Sequence, residues 1–367
     1  MIGAPVLIMA GGTGGHVFPA LAVAKILRER GVAVVWLGVP GSMEARLVPA
    51  HGFPIEWVRV RGIRGKGWLA WVAAPFRIGK AVIESLRVLR RVRPRAVLGV
   101  GGFVSGPGGI AAWLLRIPLL IHEQNAIAGM TNRFLARLAW RVLEAFPGSF
   151  AVQRGARCIG NPVRADIAAL AEPQQRFMEH SGAVHLLVLG GSLGAARLNA
   201  LLPRALARLN LADRPQVRHQ TGARGLNDTR QAYLNAKVVA EVEPFIDDMA
   251  MAYAWADLAV CRAGALTVTE LQAAGLGAVF VPYPSAVEDH QTKNAEAMVR
   301  VGAGIIVQER DLTDALLSQH IADLTTDRKR LLKMAEAARS VRVTDAAVTL
   351  ADLCMEAAMQ AGGRTHE

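Results

Sequence analysis

GGTGGH at Gly11–His16 and GGSLGA at Gly190–Ala195 are the two stretches on which the fold of this 367-residue chain turns. The first follows the apolar run Pro5–Ala10, and the second follows His185–Leu189. Each then runs into a segment with helical periodicity, Phe18–Arg30 in one case and Ala195–Leu209 in the other. A strand, a glycine loop and a helix in that order bring backbone N–H groups and a helix N-terminus against an anion, commonly a phosphate. Two such units predict two nucleotide-fold halves that face each other across a cleft.

Outward from the loops, apolar strand-like runs alternate with helical patterns. Strands are expected at Pro5–Ala10, Val32–Gly38, Ala96–Val100 and Pro118–His122. In the second half they are expected at His185–Leu189, Gln216–Gln220, Lys237–Glu241, Leu258–Cys261 and Ala278–Val281. Helices are expected near Val17–Arg30, Met43–Gly52, Phe76–Arg91 and Gly109–Leu115, with an Ala-rich helical stretch over Asp327–Gln360. This alternation predicts an α/β protein with parallel sheets covered on both faces. The hydrophobic share is 52% with only 5% aromatics, the aliphatic bias of buried parallel strands. The Gly-Asn-Pro turn in Gly160–Arg164 marks the boundary, giving domains 1–162 plus 341–360 and 163–340.

The formal net charge of +12 favours an anionic partner, with a plain basic solvated surface as the competing reading. Cys158, Cys261 and Cys354 are scattered without metal-type spacing and read as reduced thiols. The uncharged stretch Ala96–Leu115 approaches the length of a membrane span, but glycines and Pro107 break it. It is read as strand, loop and buried helix, and no transmembrane segment is expected.

Three absences narrow the ligand. A dinucleotide fold carries an acid about 20 residues past the glycines, at the end of its second strand. Here that strand ends Trp36-Leu37-Gly38, and its counterpart ends with Gln220-Thr221-Gly222, which disfavours NAD and FAD. Gly65-Lys66-Gly67 lacks the hydroxyl of a Walker loop, which disfavours ATP hydrolysis. No Asp-x-Asp occurs, which weakens a carboxylate-held divalent metal at a diphosphate. In CRAGALTVTE, Cys261–Glu270, small residues open a helix where Thr267 and Thr269 are candidates to cap it or donate to phosphate. Glu270 suits the helix dipole or ribose hydroxyls.

Together with GVGGFVSGP (Gly99–Pro107), HEQNAIAGMTN (His122–Asn132), AFPG (Ala145–Gly148), GNPVR, FIDDM (Phe245–Met249) and DHQTKNA (Asp289–Ala295), these motifs resemble the MurG family over nearly the whole chain. That family comprises bacterial UDP-N-acetylglucosamine:lipid I N-acetylglucosaminyltransferases of cell-wall synthesis. The resemblance implies the GT-B fold, two Rossmann-like domains with a C-terminal helix crossing back to the first. It implies inverting transfer of GlcNAc from UDP-GlcNAc to the MurNAc C4 hydroxyl of undecaprenyl-diphosphate-MurNAc-pentapeptide, without metal or other cofactor. It also implies a peripheral protein on the cytoplasmic face of the inner membrane, with other cell-wall synthesis proteins as partners and no nucleic acid. Carried over residue by residue, the donor set is Arg164, Ser192, Ile246, Ala265, Leu266, Thr267, Val268, Thr269, Glu270 and Gln291. Ser192 would bond the diphosphate, Ile246 the uracil edge, Glu270 the ribose hydroxyls and Gln291 the sugar hydroxyls. Thr13, Gly14, Gly15 and Asn125 complete the sugar-binding wall. Leu193 stands where the family commonly has Gln, which removes an amide contact from the second loop.

His16 is the candidate general base, because imidazole titrates near neutrality; a hydrogen bond to the loop backbone is its competing role. Glu123 is the candidate to orient or replace it, against a structural ion pair. Trp68, Leu69, Trp71, Val72 and Phe76 lie among Arg61, Arg64, Lys66, Arg77 and Lys80, a membrane-interface composition whose rival is a core stripe. The resemblance favours the membrane. A UDP-GlcNAc epimerase or hydrolase of the same fold would leave that patch without a role, and a nucleic-acid-binding protein would leave the sugar-nucleotide motifs unused.

Overall fold

The computed structural model describes residues 4–60, 74–191 and 194–363. Residues Arg61, Arg64, Lys66, Trp68, Leu69, Trp71 and Val72 of the basic-apolar patch, and Ser192 and Leu193 of the second loop, lie outside them. The chain forms two compact units, Met1–Arg164 with Thr344–Glu367, and Ala165–Val343.

The first unit holds β1 (Val6–Ala10), β2 (Val34–Gly38), β3 (Ile55–Trp57), β4 (Ala96–Gly101), β5 (Leu119–Glu123), β6 (Arg141–Glu144) and β7 (Arg157–Cys158). They form one sheet in the order β3-β2-β1-β4-β5-β6-β7, with every pairing parallel. Strand periodicity explains why all five residues of β1 are buried. Val6, Ile8 and Ala10 point to one face and meet Val17, Leu21 and Ala24 of the helix Gly14–Glu29. Leu7 and Met9 point to the other and meet Ala81, Leu89 and Ala111 of the helices Ala74–Val92 and Ser105–Leu114. Two-sided burial of this kind produces the near-continuous apolar runs of the sequence. Trp36 is fully buried with its indole N–H given to the Ala10 carbonyl at 2.8 Å, where β1 enters the first glycine loop.

The second unit holds β8 (His185–Leu189), β9 (Gln216–Gln220), β10 (Glu241–Glu243), β11 (Leu258–Cys261), β12 (Gly277–Phe280) and β13 (Gly304–Ile306). Their order is β10-β9-β8-β11-β12-β13, again wholly parallel. Each sheet reverses its winding beside its first strand, so the loops after β1 and β4, and after β8 and β11, adjoin at a topological switch point. Ligands of doubly wound sheets bind at that place.

The sequence reading did not expect β6, a four-residue interior strand between β5 and β7, and its other differences lie toward the sheet edges. β3, β7 and β13 have two or three residues each and carry no readable alternation. β10 begins at Glu241 rather than Lys237, because Lys237 takes a left-handed φ of 53° where the helix Leu226–Asn235 ends. The uncharged stretch divides into β4, a glycine turn and the helix Ser105–Leu114. Among the described residues no helix is long and apolar enough to cross a membrane.

The Ala-rich C-terminal stretch is two helices. Arg328–Ser340 belongs to the second unit, and Ala346–Gly363 returns to the first. Leu350, Ala351, Cys354 and Ala357 of the returning helix sit in the core with Val17 and Leu21. Burial raises the Cys354 thiol to about 12, so it stays protonated and acts as a small apolar side chain. Truncating a fully buried Leu costs about 2–5 kcal/mol. Leu350→Ala should therefore lower the urea midpoint of the first unit by a matching amount, with little change in the second. An unchanged midpoint would show that the returning helix adds nothing to that core.

Candidate functional site

In the first unit the site is built on loops at the C-terminal ends of β1, β4, β5 and β6. The first glycine loop is held from below by a residue with no local signal. Glu44 is fully buried; its Oε2 accepts the Gly12 N–H at 3.0 Å and its Oε1 the Val39 N–H at 3.1 Å. The helix Gly14–Glu29 then starts with Thr13 as its N-cap. The N–H groups of His16 and Val17 both return to the Thr13 carbonyl, at 3.1 and 3.2 Å. The Gly14 and Gly15 amides are therefore the first-turn donors without an intrahelical acceptor. His16 Nδ1 lies 3.3 Å from Thr13 Oγ1. Its ring rests on Gly101, where φ is +118° and a Cβ would come within 2.6 Å of His16 Cδ2. A glycine is required there both for the backbone and for the imidazole.

Glu123 is buried at the end of β5 and engaged through both carboxylate oxygens. Its Oε1 accepts the Asn125 N–H at 3.0 Å and Asn125 Nδ2 at 3.1 Å. Its Oε2 accepts the Gly129 N–H at 3.0 Å and Asn132 Nδ2 at 2.9 Å. Four donors engage both oxygens of this one buried carboxylate. Through these contacts Glu123 holds the loop that carries Asn125. Glu144, also buried, does the same for AFPG, taking the N–H groups of Gly148 at 3.0 Å and Phe150 at 3.1 Å.

His122 joins this loop to the GNPVR turn. Its Nε2–H donates to the Gly160 carbonyl at 2.8 Å, and its Nδ1 accepts Gln124 Nε2 at 3.1 Å. Asn161 Nδ2 donates to the Gln124 carbonyl at 3.0 Å. Burial lowers the His122 imidazole from 6.5 to about 4, so it is neutral and structural. Arg164 closes the first unit, its guanidinium 5.9 Å above the Phe18 ring.

In the second unit the helix Ala265–Ala274 follows β11 with Gly264 as N-cap and no side-chain cap. The Val268 N–H makes the first intrahelical bond, to the Gly264 carbonyl at 2.9 Å, and the Val268 side chain is fully buried. The first-turn donors of this helix are thus Ala265, Leu266 and Thr267, and Val268 has neither amide nor side chain to offer. Thr269 is buried and donates its hydroxyl to the Ala265 carbonyl at 2.8 Å, within its own helix. Glu270 Oε2 accepts the Tyr253 hydroxyl at 3.0 Å. Gln291 Oε1 takes two backbone N–H groups, Ala263 at 3.2 Å and Tyr283 at 2.9 Å, which leaves its amide nitrogen as the group for a ligand. The Ile246 N–H already donates to Gln220 Oε1 at 3.0 Å, so its carbonyl is the group it presents to a base.

Behind the second glycine loop, Gly194 has φ +80° and a Cβ there would lie 2.3 Å from the Thr221 carbonyl. Asn199 Nδ2 donates to that same carbonyl at 3.0 Å, and His219 Nε2–H donates to Asn199 Oδ1 at 3.1 Å. His219 Nδ1 accepts the Tyr233 hydroxyl at 3.0 Å. Burial lowers His219 to about 3. Glu44, Glu144, Gln220, Asn199 and Tyr253 were not among the expected site residues. Their partners lie up to 32 residues away, and only the fold brings them together.

The ligand atoms of His180, His185 and Asp257 lie close enough to hold a metal ion. They are already engaged within the protein, His185 by donating its Nδ1–H to the Trp255 carbonyl at 2.9 Å. Asp257 Oδ1 accepts His180 Nδ1–H at 2.7 Å, and Oδ2 accepts the His185 N–H at 3.0 Å and Arg328 at 3.3 Å. The cluster stands at the start of β8 and β11, the sheet edge opposite the loops, and ties that edge together.

Residues 6–144 match the N-terminal domain of glycosyltransferase family 28, and residues 185–350 match its C-terminal domain. A protein of Marinobacter nauticus is 57% identical over 352 residues, covering 96% of this chain and 97% of its own length. One of Alkalilimnicola ehrlichii is 55% identical, covering 96% and 99%. The chain belongs to the MurG family, within glycosyltransferase family 28. Both relatives bear the name UDP-N-acetylglucosamine–N-acetylmuramyl-(pentapeptide) pyrophosphoryl-undecaprenol N-acetylglucosamine transferase. The crystal structure of Acinetobacter baumannii MurG superposes with a TM-score of 0.83 at 43% identity, over 96% of this chain and 99% of that one. The family fold is GT-B, and the calicheamicin glycosyltransferase CalG4 shares it at 17% identity with a TM-score of 0.68.

His122 and His219 make the acid stability of the family member predictable. Each is held neutral in the fold, at about 4 and about 3, whereas an unfolded imidazole takes its proton near 6.5. Between those values the unfolded state binds more protons, so stability rises with pH. The contribution is complete above about pH 6.5 and is lost as pH falls through about 4. Urea midpoints should fall steadily from pH 7 to pH 4. A His122→Gln variant should show a flatter decline, and an identical slope would remove His122 from the cause.

Proposed function

We propose that this chain transfers GlcNAc from UDP-GlcNAc to the C4 hydroxyl of the MurNAc carried as undecaprenyl-diphosphate-MurNAc-pentapeptide, with inversion at the anomeric carbon. The observation that carries the reading is near-full-length relationship, at 57% identity, to transferases of that name. The second unit takes the donor. The Ala265, Leu266 and Thr267 amides at the helix N-terminus, with the Gly190–Ala195 loop and Ser192 in it, receive the diphosphate and the charge that grows on UDP as it leaves. Glu270 holds the ribose hydroxyls, the Ile246 carbonyl meets the base, and Gln291 Nε2 completes the second unit's contacts, with Arg164 of the first unit as a further donor residue.

The polar groups bracing these loops support an anionic ligand. Gln220, Asn199, Gln291 and Asn294 hold the backbone of the second unit's loops with neutral amides. The corresponding positions of the first unit are held by carboxylates. Ionised carboxylates beside a diphosphate would weaken its binding, and amides avoid that repulsion.

In the first unit Thr13, Gly14, Gly15 and Asn125 serve the sugars, and His16 removes the acceptor proton. The C4 oxygen then bonds to the anomeric carbon as the bond to UDP breaks, UDP leaving with the electron pair. The test is incubation with UDP-GlcNAc and a lipid I analogue in the presence of EDTA, scored for UDP and disaccharide. Turnover should persist, and His16→Ala should lower kcat by about 10²–10⁴-fold with little change in donor KM. Strict dependence on added Mg²⁺ or Mn²⁺ would overturn the helix-terminus account, and a fully active His16→Ala would remove His16 as the base.

We further assign the acceptor's membrane to the first unit, with the protein peripheral on the cytoplasmic face. On the helix Ala74–Val92, Phe76, Lys80, Ile83 and Arg87 recur at helical spacing and are exposed, Phe76 at 82%. Trp113 and Leu114, at the end of the helix Ser105–Leu114 that packs beside it, are exposed as well. Apolar side chains among Arg77, Lys80, Arg87 and Arg116 suit an anionic lipid surface, each cation adding about 1 kcal/mol. Co-sedimentation with phosphatidylglycerol vesicles should be strong at low salt and weak at high salt. Phe76→Ser with Trp113→Ser should abolish it while sparing a short-chain soluble acceptor. Equal binding to neutral vesicles, or an unaffected double variant, would overturn the assignment.

A further inference from the structure

Tyr253 donates its hydroxyl to the Glu270 carboxylate. The ring is 1% exposed and Glu270 is 6% exposed, so their 3.0 Å hydrogen bond is made out of water. The two residues lie on different helices, Met249–Trp255 and Ala265–Ala274. One buried guanidinium locks those helices together. Arg176 donates Nη1 to the Tyr253 carbonyl at 2.8 Å, and Nη2 to the carbonyls of Ala274 and Gly275 at 2.9 and 2.6 Å. It therefore grips the backbone of Tyr253 and the C-terminal end of the helix whose other end carries Glu270. Burial lowers Arg176 only to about 10, so it is charged at neutral pH and also complements the C-terminus of that helix.

We propose that Tyr253 is a positioning residue for donor binding: its hydroxyl, donated to Glu270 Oε2, fixes the rotamer in which the Glu270 carboxylate meets the ribose hydroxyls of the nucleotide. The proposal rests on the reading that Glu270 meets the ribose. A glutamate side chain has three rotatable bonds, and a carboxylate aimed at a vicinal diol must be fixed in one rotamer to accept both hydroxyls. The tyrosine supplies that restraint, and Arg176 fixes the tyrosine. Tyr253 touches no reacting atom, so the effect belongs in affinity for the nucleotide and not in the chemical step.

The experiment is titration calorimetry of the full chain with UDP and with 2′-deoxy- and 3′-deoxy-UDP, on the native protein, Tyr253→Phe, Glu270→Gln and the double variant. The native protein should bind UDP about tenfold or more above the deoxy nucleotides, as expected for hydrogen bonds to a charged group. Tyr253→Phe keeps the buried ring and should lose most of that preference, with the KM for UDP-GlcNAc rising about tenfold and kcat changing less than twofold. In the Glu270→Gln background the same change should have no further effect on the preference. A merely structural hydroxyl would lower the thermal midpoint and leave the preference intact. That outcome overturns the proposal while the Glu270 reading stands. A native protein indifferent to the deoxy nucleotides overturns both.

Discussion

A parallel sheet delivers every strand to one edge and leaves the loops there with backbone N–H groups that no strand can satisfy. In a buried position each such group needs an acceptor. The first unit meets that demand with buried carboxylates. Glu44 accepts from the first glycine loop, Glu123 from the loop carrying Asn125, and Glu144 from the AFPG turn. A carboxylate can accept several N–H groups at once and gains from each, so one side chain fixes a whole loop. His16 depends on this arrangement at one remove. Its helix begins where Glu44 pins Gly12, and its ring lies on Gly101, whose N–H is held by Ser105 Oγ at 3.2 Å.

The second unit solves the same geometrical problem with different chemistry. Neutral amides hold the backbone of several of its loops, and the Glu270 carboxylate accepts a phenol hydroxyl. Two arginines lie at the far end of the helix Ala265–Ala274, while Arg262, before its N-cap, pairs with Glu309. Arg176 and Arg339 both close on carbonyls of its C-terminus, Arg339 on that of Ala273. The helix thus has cations at its negative end and an open first turn at its positive end, the polarity an anionic ligand requires. Asp257 would disturb that field if it stood among the loops. It lies instead at the opposite edge of the sheet, neutralised by Arg328.

Local sequence carried more of the fold than of the site. Strands buried on both faces, such as Leu186–Leu189 and Leu258–Cys261, announce themselves as apolar runs, and the glycine loops behind them announce the turn into a helix. β3 and β7 were not legible because two or three residues at a sheet edge are held by a neighbour and not by their own pattern. The extent of β10 was misjudged because a left-handed residue, Lys237, can be recognised only from its backbone. At the site, sequence marked Thr269 and Glu123, but their partners, the Ala265 carbonyl and the N–H groups of Asn125 and Gly129, are visible only in the fold.

What the sequence by itself determined is the strand-loop-helix order, the two-unit architecture and the family, because these rest on neighbours along the chain and on motifs at fixed spacing. What only the tertiary structure decided is which group each polar atom serves. Glu44 finds Gly12 across 32 residues, Tyr253 finds Glu270 across 17, and Arg176 reaches Gly275 across 99. A hydrogen bond is specific in space and blind to chain separation. Whether a carboxylate is a base, a ribose clamp or a loop anchor is therefore fixed when the strands that carry its partners come together.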